Sequence, residues 1–223
     1  MAGDEESTGP PHQRRAQPRS GAIAGEDLGR ILALSDGVFA FAMTLLALSL
    51  AVPVVGGANA HAVSGNLLNQ LGSDGTKFLG YAFAFVMIGI WWIAHNRAFQ
   101  HIARYDGVLV WINMAILLQI AVMPFVMTVY NSYTDTQTAI GLFAGIQVGL
   151  GISTTALWDY ARSRKLIKPG VPAEVAAFYS RRGWLVSLVF LGSIGISSLN
   201  LTGAQLSWAL SFVVVRLLDR YGR

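Results

Sequence analysis

The chain has 223 residues, 53% hydrophobic and 13% charged, with a formal net charge of +4, and its mean hydropathy is +0.49. That balance suits a polytopic membrane protein and not a soluble domain. The absence of cysteine excludes disulfide frameworks, thiolate metal sites and cysteine nucleophiles. The basic residues fall between apolar spans without forming a nucleic-acid groove.

Residues 1–25 are rich in Gly, Pro, Arg and Ser and nearly devoid of large apolar side chains, which predicts a disordered cytoplasmic tail. The tail has no apolar core of the signal-peptide kind. Residues 26–223 read as one all-α transmembrane domain. Six spans are predicted at 30–54, 77–99, 106–130, 137–161, 183–199 and 203–219, each about long enough to cross ~30 Å of hydrocarbon. Pro124 in the third removes a backbone hydrogen bond and predicts a kink. In the fourth, Gly141, Gly145 and Gly149 make either a strip for close helix packing or mere glycine richness. The long outer loop after the first span has room for a short helix or hairpin.

Charge placement sets orientation. Of the 16 basic residues, Lys77 alone falls on one side of this topology. The rest flank the first span, the second-to-third and fourth-to-fifth connections, and the C-terminus. By the positive-inside rule both termini are cytoplasmic, which requires an even number of spans.

Catalytic constellations are wanting. His95 and His101 are six residues apart and do not share a helical face as a two-histidine metal site requires. The Gly-Tyr pair in FLGYAF is not the TVGYG filter of tetrameric potassium channels, so no P-loop is expected. No enzyme reading emerges. An acid inside an apolar span, as Asp36 is, demands a partner, water or a task. On a helical wheel, Phe41, Thr44 and Leu48 lie within about 40° of Gly37, whereas Ser35 is nearly opposite and Asp36 about 100° away. From periodicity alone that stripe is either a packing seam or the wall of a conduit.

The stretch Arg30-x-x-x-Leu34-Ser35-Asp36-Gly37-Val38-Phe39-Ala40-Phe41-Ala42 resembles the RxxxFSDGVFAIA signature of the transmembrane protein 175 family, which includes the lysosomal potassium channel and bacterial relatives. Thr44-Leu45-Leu46 is similar to its TLL run, and Trp91 to Phe99 to its W-x-x-H-[HN]-x-x-F pattern. Pro124-Phe125 matches its proline-aromatic position. Leu34 stands where the signature has phenylalanine, and Phe41 where isoleucine or leucine is usual.

The resemblance implies a potassium-over-sodium cation channel in a prokaryotic plasma membrane. The first helix of each repeat would line a central pore, and a one-repeat chain would assemble as a homotetramer. Phe41 would form the narrow point, with Thr44 and Leu48 deeper and Gly37 on the same stripe. Potassium would be held only transiently, near Phe41 and Thr44, and no other metal or cofactor is expected. Arg30, Ser35 and Asp36 would form an anchoring network with His95 and Asn96, and Arg97 is a further candidate donor. Beyond copies of itself and the bilayer, no protein or nucleic-acid partner is inferable. The alternatives are a proton-coupled transporter relaying through Asp36 and His95, or a non-conducting scaffold.

Overall fold

The structure, a computed structural model, describes residues 23–24, 26–50 and 52–221. Residues 1–22 and 25 of the expected tail lie outside this range. The architecture is all-helical apart from a minimal two-stranded ribbon. Helix α1 (Glu26–Leu45) leads through a 3₁₀ turn (Leu46–Ser49) to a short helix, α2 (Ala60–Ser73). Five long helices follow: α3 (Gly75–Gln100), α4 (Gly107–Ser132), α5 (Gln137–Ser163), α6 (Ala173–Ser197) and α7 (Leu201–Tyr221). Strand β1 (Ile23–Ala24) pairs antiparallel with β2 (Arg104–Tyr105).

Two predicted boundaries need correction. The first span does not continue as helix to residue 54, because the chain tightens into a 3₁₀ turn after Leu45 and leaves helical backbone at Leu50. Val52, Pro53 and Val54 explain this: proline lacks the N–H for the helix ladder and biases the residue before it toward extended backbone. The fifth helix begins at Ala173, ten residues before the predicted span. Glu174, Arg181 and Arg182 hid its first turns from a hydropathy reading, whereas Pro172 fixes the start by supplying an extended cap.

Among the described residues four stretches are long and apolar enough to cross a membrane: Leu28–Leu48, Lys77–Gln100, Gly107–Ser132 and Gln137–Ser163. Helix ends are closed by side chains that the sequence offers at the right places. Asp106 and Thr136 accept the N–H groups of Leu109 and Ala139, and Asn200 accepts that of Gly203.

The two ends of the bundle are distinct. At one, the connection after α3 is clamped to the connection after α5. Ala103 N–H donates to Leu166 O at 2.8 Å and Lys168 N–H to His101 O at 2.8 Å, while Ile102 bridges Ile167. The β1–β2 pairing lies at this end too, as do Arg104, Arg162, Arg164, Lys165 and Lys168. At the other end α2 joins α3 through Asp74, and Gln205 Nε2 donates to Thr134 O. Five basic residues therefore gather at the first of these two ends of the bundle.

Helices α5, α6 and α7 pack tightly as one group, and α4 joins them to α1. The core is aromatic: Phe143 stacks on Tyr130 at 5.1 Å and meets Trp208 at 4.5 Å between ring centroids. The close crossing of α5 on α6 occurs at Gly151 and Gly183, where an added Cβ would strike Ser187, Thr155 and the opposing backbone. Of the predicted glycine strip, Gly141 and Gly145 face open space, and a Cβ on Gly149 would strike Gln119.

Candidate pore-lining helix and its anchor

Helix α1 has two unlike faces. Ser35, Phe39, Ala42 and Leu46 recur at helical spacing and are all buried, at 2% exposure or less. They pack against α4, α3 and the turn that follows α1. Phe41 and Leu48 lie opposite at 65% and 79% exposure, with Gly37 and Thr44 also exposed. A Cβ at Gly37 would meet nothing inside the subunit. The four residues that the wheel aligned thus form the uncovered side of the helix, and Asp36 and Arg30 are exposed as well.

Two hydrogen-bonded groups hold this helix in place. The buried one runs from Ser35 through Asn113 to His95. The Ser35 hydroxyl donates to Ile31 O (2.9 Å) and accepts from Asn113 Nδ2 (3.1 Å). Asn113 Oδ1 lies 2.8 Å from His95 Nε2, which donates to it. The imidazole is stacked on Phe99 at 4.5 Å and tilted against Phe39 at 5.5 Å. Its Nδ1 is buried with no hydrogen-bond partner. With Nε2 as donor, Nδ1 carries a bare lone pair.

The exposed group centres on Asp36. Its Oδ1 accepts from the Trp92 indole N–H at 2.8 Å and from Asn96 Nδ2 at 3.3 Å, and Asn96 also bonds Trp92 O. Ser35 and Asp36, adjacent in sequence, are therefore tied to different helices: Ser35 to α4 and Asp36 to α3. This differs from the expectation that α3 alone supplies the partners. His95 reaches Ser35 only through Asn113, and Trp92 takes the place foreseen for Arg97, which is exposed. Asn113 and Trp92 escaped the sequence reading. The signal for Asn113 was present, because a carboxamide amid the apolar residues of α4 must find a partner. Trp92 was masked by its role as one apolar residue among many.

At the C-terminal end of α1 the Thr44 hydroxyl donates to Phe41 O at 2.8 Å. Its lone pairs consequently remain on the uncovered side. Among the described residues no group of three or more His, Asp or Glu side chains is placed to hold a metal ion.

The profile of the family described as endosomal/lysosomal potassium channel TMEM175 matches residues 30–124, the stretch holding α1, α3 and Asn113. A protein named potassium channel from Streptomyces collinus is 31% identical over 174 residues, which is 76% of this chain and 82% of that one. The chain belongs to the TMEM175 family of ion channels.

Another protein named potassium channel, from Chamaesiphon minutus, is 31% identical over 140 residues, covering 60% of this chain and 66% of its own length. The bovine protein named endosomal/lysosomal proton channel TMEM175 is 28% identical over 159 residues, but those are only 32% of its length. Two solved structures share the fold. One is the crystal structure of a lysosomal potassium-selective channel TMEM175 homolog from Chamaesiphon minutus, with a TM-score of 0.69 at 24% identity over 89% of this chain and 100% of that one. The other is a variant of the potassium channel MtTMEM175 bound to a nanobody fusion, with a TM-score of 0.63 at 18% identity over 87% of this chain and 91% of that one. TMEM175 proteins are channels and not enzymes.

Proposed function

We propose that this chain is the subunit of a potassium-permeable cation channel in which α1 from four copies surrounds a central pore. All six long helices then cross the bilayer, both termini lie in the cytoplasm, and the channel resides in a prokaryotic plasma membrane. The observation that carries this reading is the exposed face of α1. A hydroxyl at Thr44 lies on that side of an apolar helix, the exposed carboxylate of Asp36 borders it toward α3, and a charged group facing lipid is costly by several kcal/mol. Water or a neighbouring subunit suits that side, and lipid does not. The bare backbone at Gly37 allows copies of α1 to approach closely.

In this arrangement four Phe41 rings form an apolar constriction with Leu48 as a second ring. An ion passing them sheds part of its water. Potassium holds its water less tightly than sodium does, so the penalty favours potassium, less steeply than a carbonyl cage would. The Thr44 oxygen, whose hydrogen is committed to Phe41 O, offers lone pairs to the partly dehydrated ion. No cofactor takes part. Arg30, Ser35, Asp36, His95 and Asn96 serve as the frame that aims the helix.

The transporter alternative needs a proton path from Asp36 to His95. Those two side chains belong to separate hydrogen-bonded groups, one bound to Trp92 and Asn96 and the other to Asn113. Purified protein in liposomes discriminates the readings. The channel conducts potassium passively down its own gradient. Strict dependence on an imposed proton gradient identifies a transporter, and absence of flux from well-inserted protein identifies a scaffold.

A further inference from the structure

Where the connection after α3 meets the end of α5, the bundle holds a cavity of about 530 Å³. Arg104, Arg162, Lys165 and Lys168 line it, and no acid does. Among the described residues none of these four side chains has an ion pair. The acids nearest them in the chain are engaged elsewhere. Asp106 Oδ1 accepts from Leu109 N–H at 2.9 Å and Oδ2 from the Tyr160 hydroxyl at 2.7 Å, while Asp159 accepts from Ser180. Backbone hydrogen bonds fix the walls. Leu166 O accepts from Ala103 N–H at 2.8 Å and from Arg104 N–H at 3.2 Å, and His101 O accepts from Lys168 N–H at 2.8 Å. They set Arg104 beside the 165–168 segment although two long helices separate them in the chain. Helix α5 ends in a Schellman motif, with Leu166 N–H on Ala161 O at 2.8 Å and Lys165 N–H on Arg162 O at 3.1 Å. Lys165 occupies its left-handed position, at φ 56°, where glycine is the usual and less strained residue. The stretches Lys77–Gln100 and Gln137–Ser163 end here and Gly107–Ser132 begins here, so the cavity sits at the rim of the apolar belt.

We propose that this cavity binds a phosphorylated anion, its phosphate oxygens held by Arg104, Arg162, Lys165 and Lys168. Like charges gathered by a fixed backbone repel one another, and an anion among them relieves that repulsion. A phosphate presents more acceptor oxygens than a carboxylate, which suits four donor groups; the guanidinium groups fork onto those oxygens and the ammonium groups add point charge. The cavity is many times the ~30 Å³ share of one water, so it has room for more than a bare halide. Ile167 and Val171 make part of its wall apolar, which suits the glycerol and first carbons of a lipid. Basic pockets between membrane helices at head-group level take lipid phosphates in this way. A soluble organic phosphate offers the same group. The site is separate from the exposed face of α1, and its occupancy is measured without ion flux.

The test uses the full-length channel in a neutral detergent and measures binding of a fluorescent short-chain phosphatidic acid. The matching diacylglycerol, which lacks the phosphate, is the control, and glycerol phosphate is the soluble competitor. The phosphatidic acid probe is expected to bind at least ten-fold tighter than the diacylglycerol. Arg104→Gln and Lys168→Gln should each weaken it several-fold, while Arg181→Gln, at an exposed cation outside the cavity, should leave it unchanged. Lys165→Gly separates side chain from backbone: glycine relieves the left-handed position, so the variant should fold at least as well as the parent while its binding falls several-fold. If the glutamine variants misfold, Lys165→Gly decides. Competition by glycerol phosphate as strong as by unlabelled lipid identifies a soluble phosphate, and its failure identifies a bilayer lipid; both support the site. Equal binding of the diacylglycerol, no binding, or a loss in Arg181→Gln equal to that in the cavity variants overturns it. So does undiminished binding in Lys165→Gly, which would leave Lys165 as the end of a helix and nothing more.

Discussion

Replacing Asn113 by alanine is the sharpest test of how α1 is held. Asn113 is completely buried and supplies the acceptor for His95 and the donor for Ser35. After the substitution Ser35 keeps its bond to Ile31 O, so its loss is one contact, about 0.5–1.5 kcal/mol. His95 fares worse. Its Nδ1 already lacks a partner, and the change orphans Nε2 in a ring that is 4% exposed, costing about 1–3 kcal/mol. The void left by the carboxamide adds on the order of 1 kcal/mol. The expected destabilisation is therefore about 4 kcal/mol. It can be read from reversible unfolding of the subunit in mixed micelles titrated with a denaturing detergent. Gln119→Ala provides the comparison, because its bond to Ser153 is only partly buried and should be worth about 1 kcal/mol. A double-mutant cycle with His95→Phe should show non-additivity above about 1 kcal/mol, since the orphaned imidazole is removed in the double variant. A loss below 1 kcal/mol for Asn113→Ala, or strict additivity with His95→Phe, would refute the reasoning.

Other outcomes follow from the same geometry. Phe41→Ala should leave folding intact, because the ring is 65% exposed in the subunit, while raising conductance and lowering the potassium-to-sodium permeability ratio; an unchanged bi-ionic reversal potential would remove Phe41 from the constriction. Asp36→Ala takes the acceptor from Trp92 and Asn96 and should reduce assembled tetramer on size-exclusion chromatography several-fold, whereas Asp36→Asn, which keeps an oxygen there, should assemble nearly normally. Gly183→Leu should prevent α6 from seating on α5 and abolish folded protein, while Gly145→Ala, facing open space, should be neutral in the same expression assay. Where α2 meets α3, Lys77 lies 2.6 Å from Asp74 and holds its carboxyl below the ordinary carboxylate value through a hydrogen bond, with a smaller charge effect. That link is present above the unfolded-state value of about 4 and is lost as pH falls through the lower folded value. A fluorophore on α2 should therefore report no loosening of the α2–α3 corner between pH 7 and 5 and a change only at lower pH, which Asp74→Asn should eliminate.

Much of this channel could be read before any coordinates. Four of the six predicted stretches lie on helices that, among the described residues, are long and apolar enough to cross a membrane, because hydrocarbon tolerates only helices of a narrow length. The stripe of Gly37, Phe41, Thr44 and Leu48 needed no more than the period of a helix. The places where the linear reading strayed are those where a residue has two competing tendencies. Glu174, Arg181 and Arg182 lower hydropathy yet are carried on a helix that starts at Ala173, and Pro53 ends a helix inside a run that still reads as apolar.

Partner choice was legible only in part: Asn96 was expected to bond Asp36 and does, but the remaining partners depend on which helices meet and at what depth. Ser35 and Asp36 are neighbours in sequence, but the 100° step between them sends one to Asn113 on α4 and the other to Trp92 on α3. The tight crossing moved from the regular Gly141, Gly145 and Gly149 series to Gly151 and Gly183, since two helices need small residues only at the point where their axes come closest. The cavity ringed by Arg104, Arg162, Lys165 and Lys168 arises where two connections distant in the chain meet. The local alphabet determined that this protein is a bundle of membrane helices with one two-faced leading helix. Only packing in three dimensions decided which polar groups are satisfied, which are left wanting, and which face of that helix stays bare.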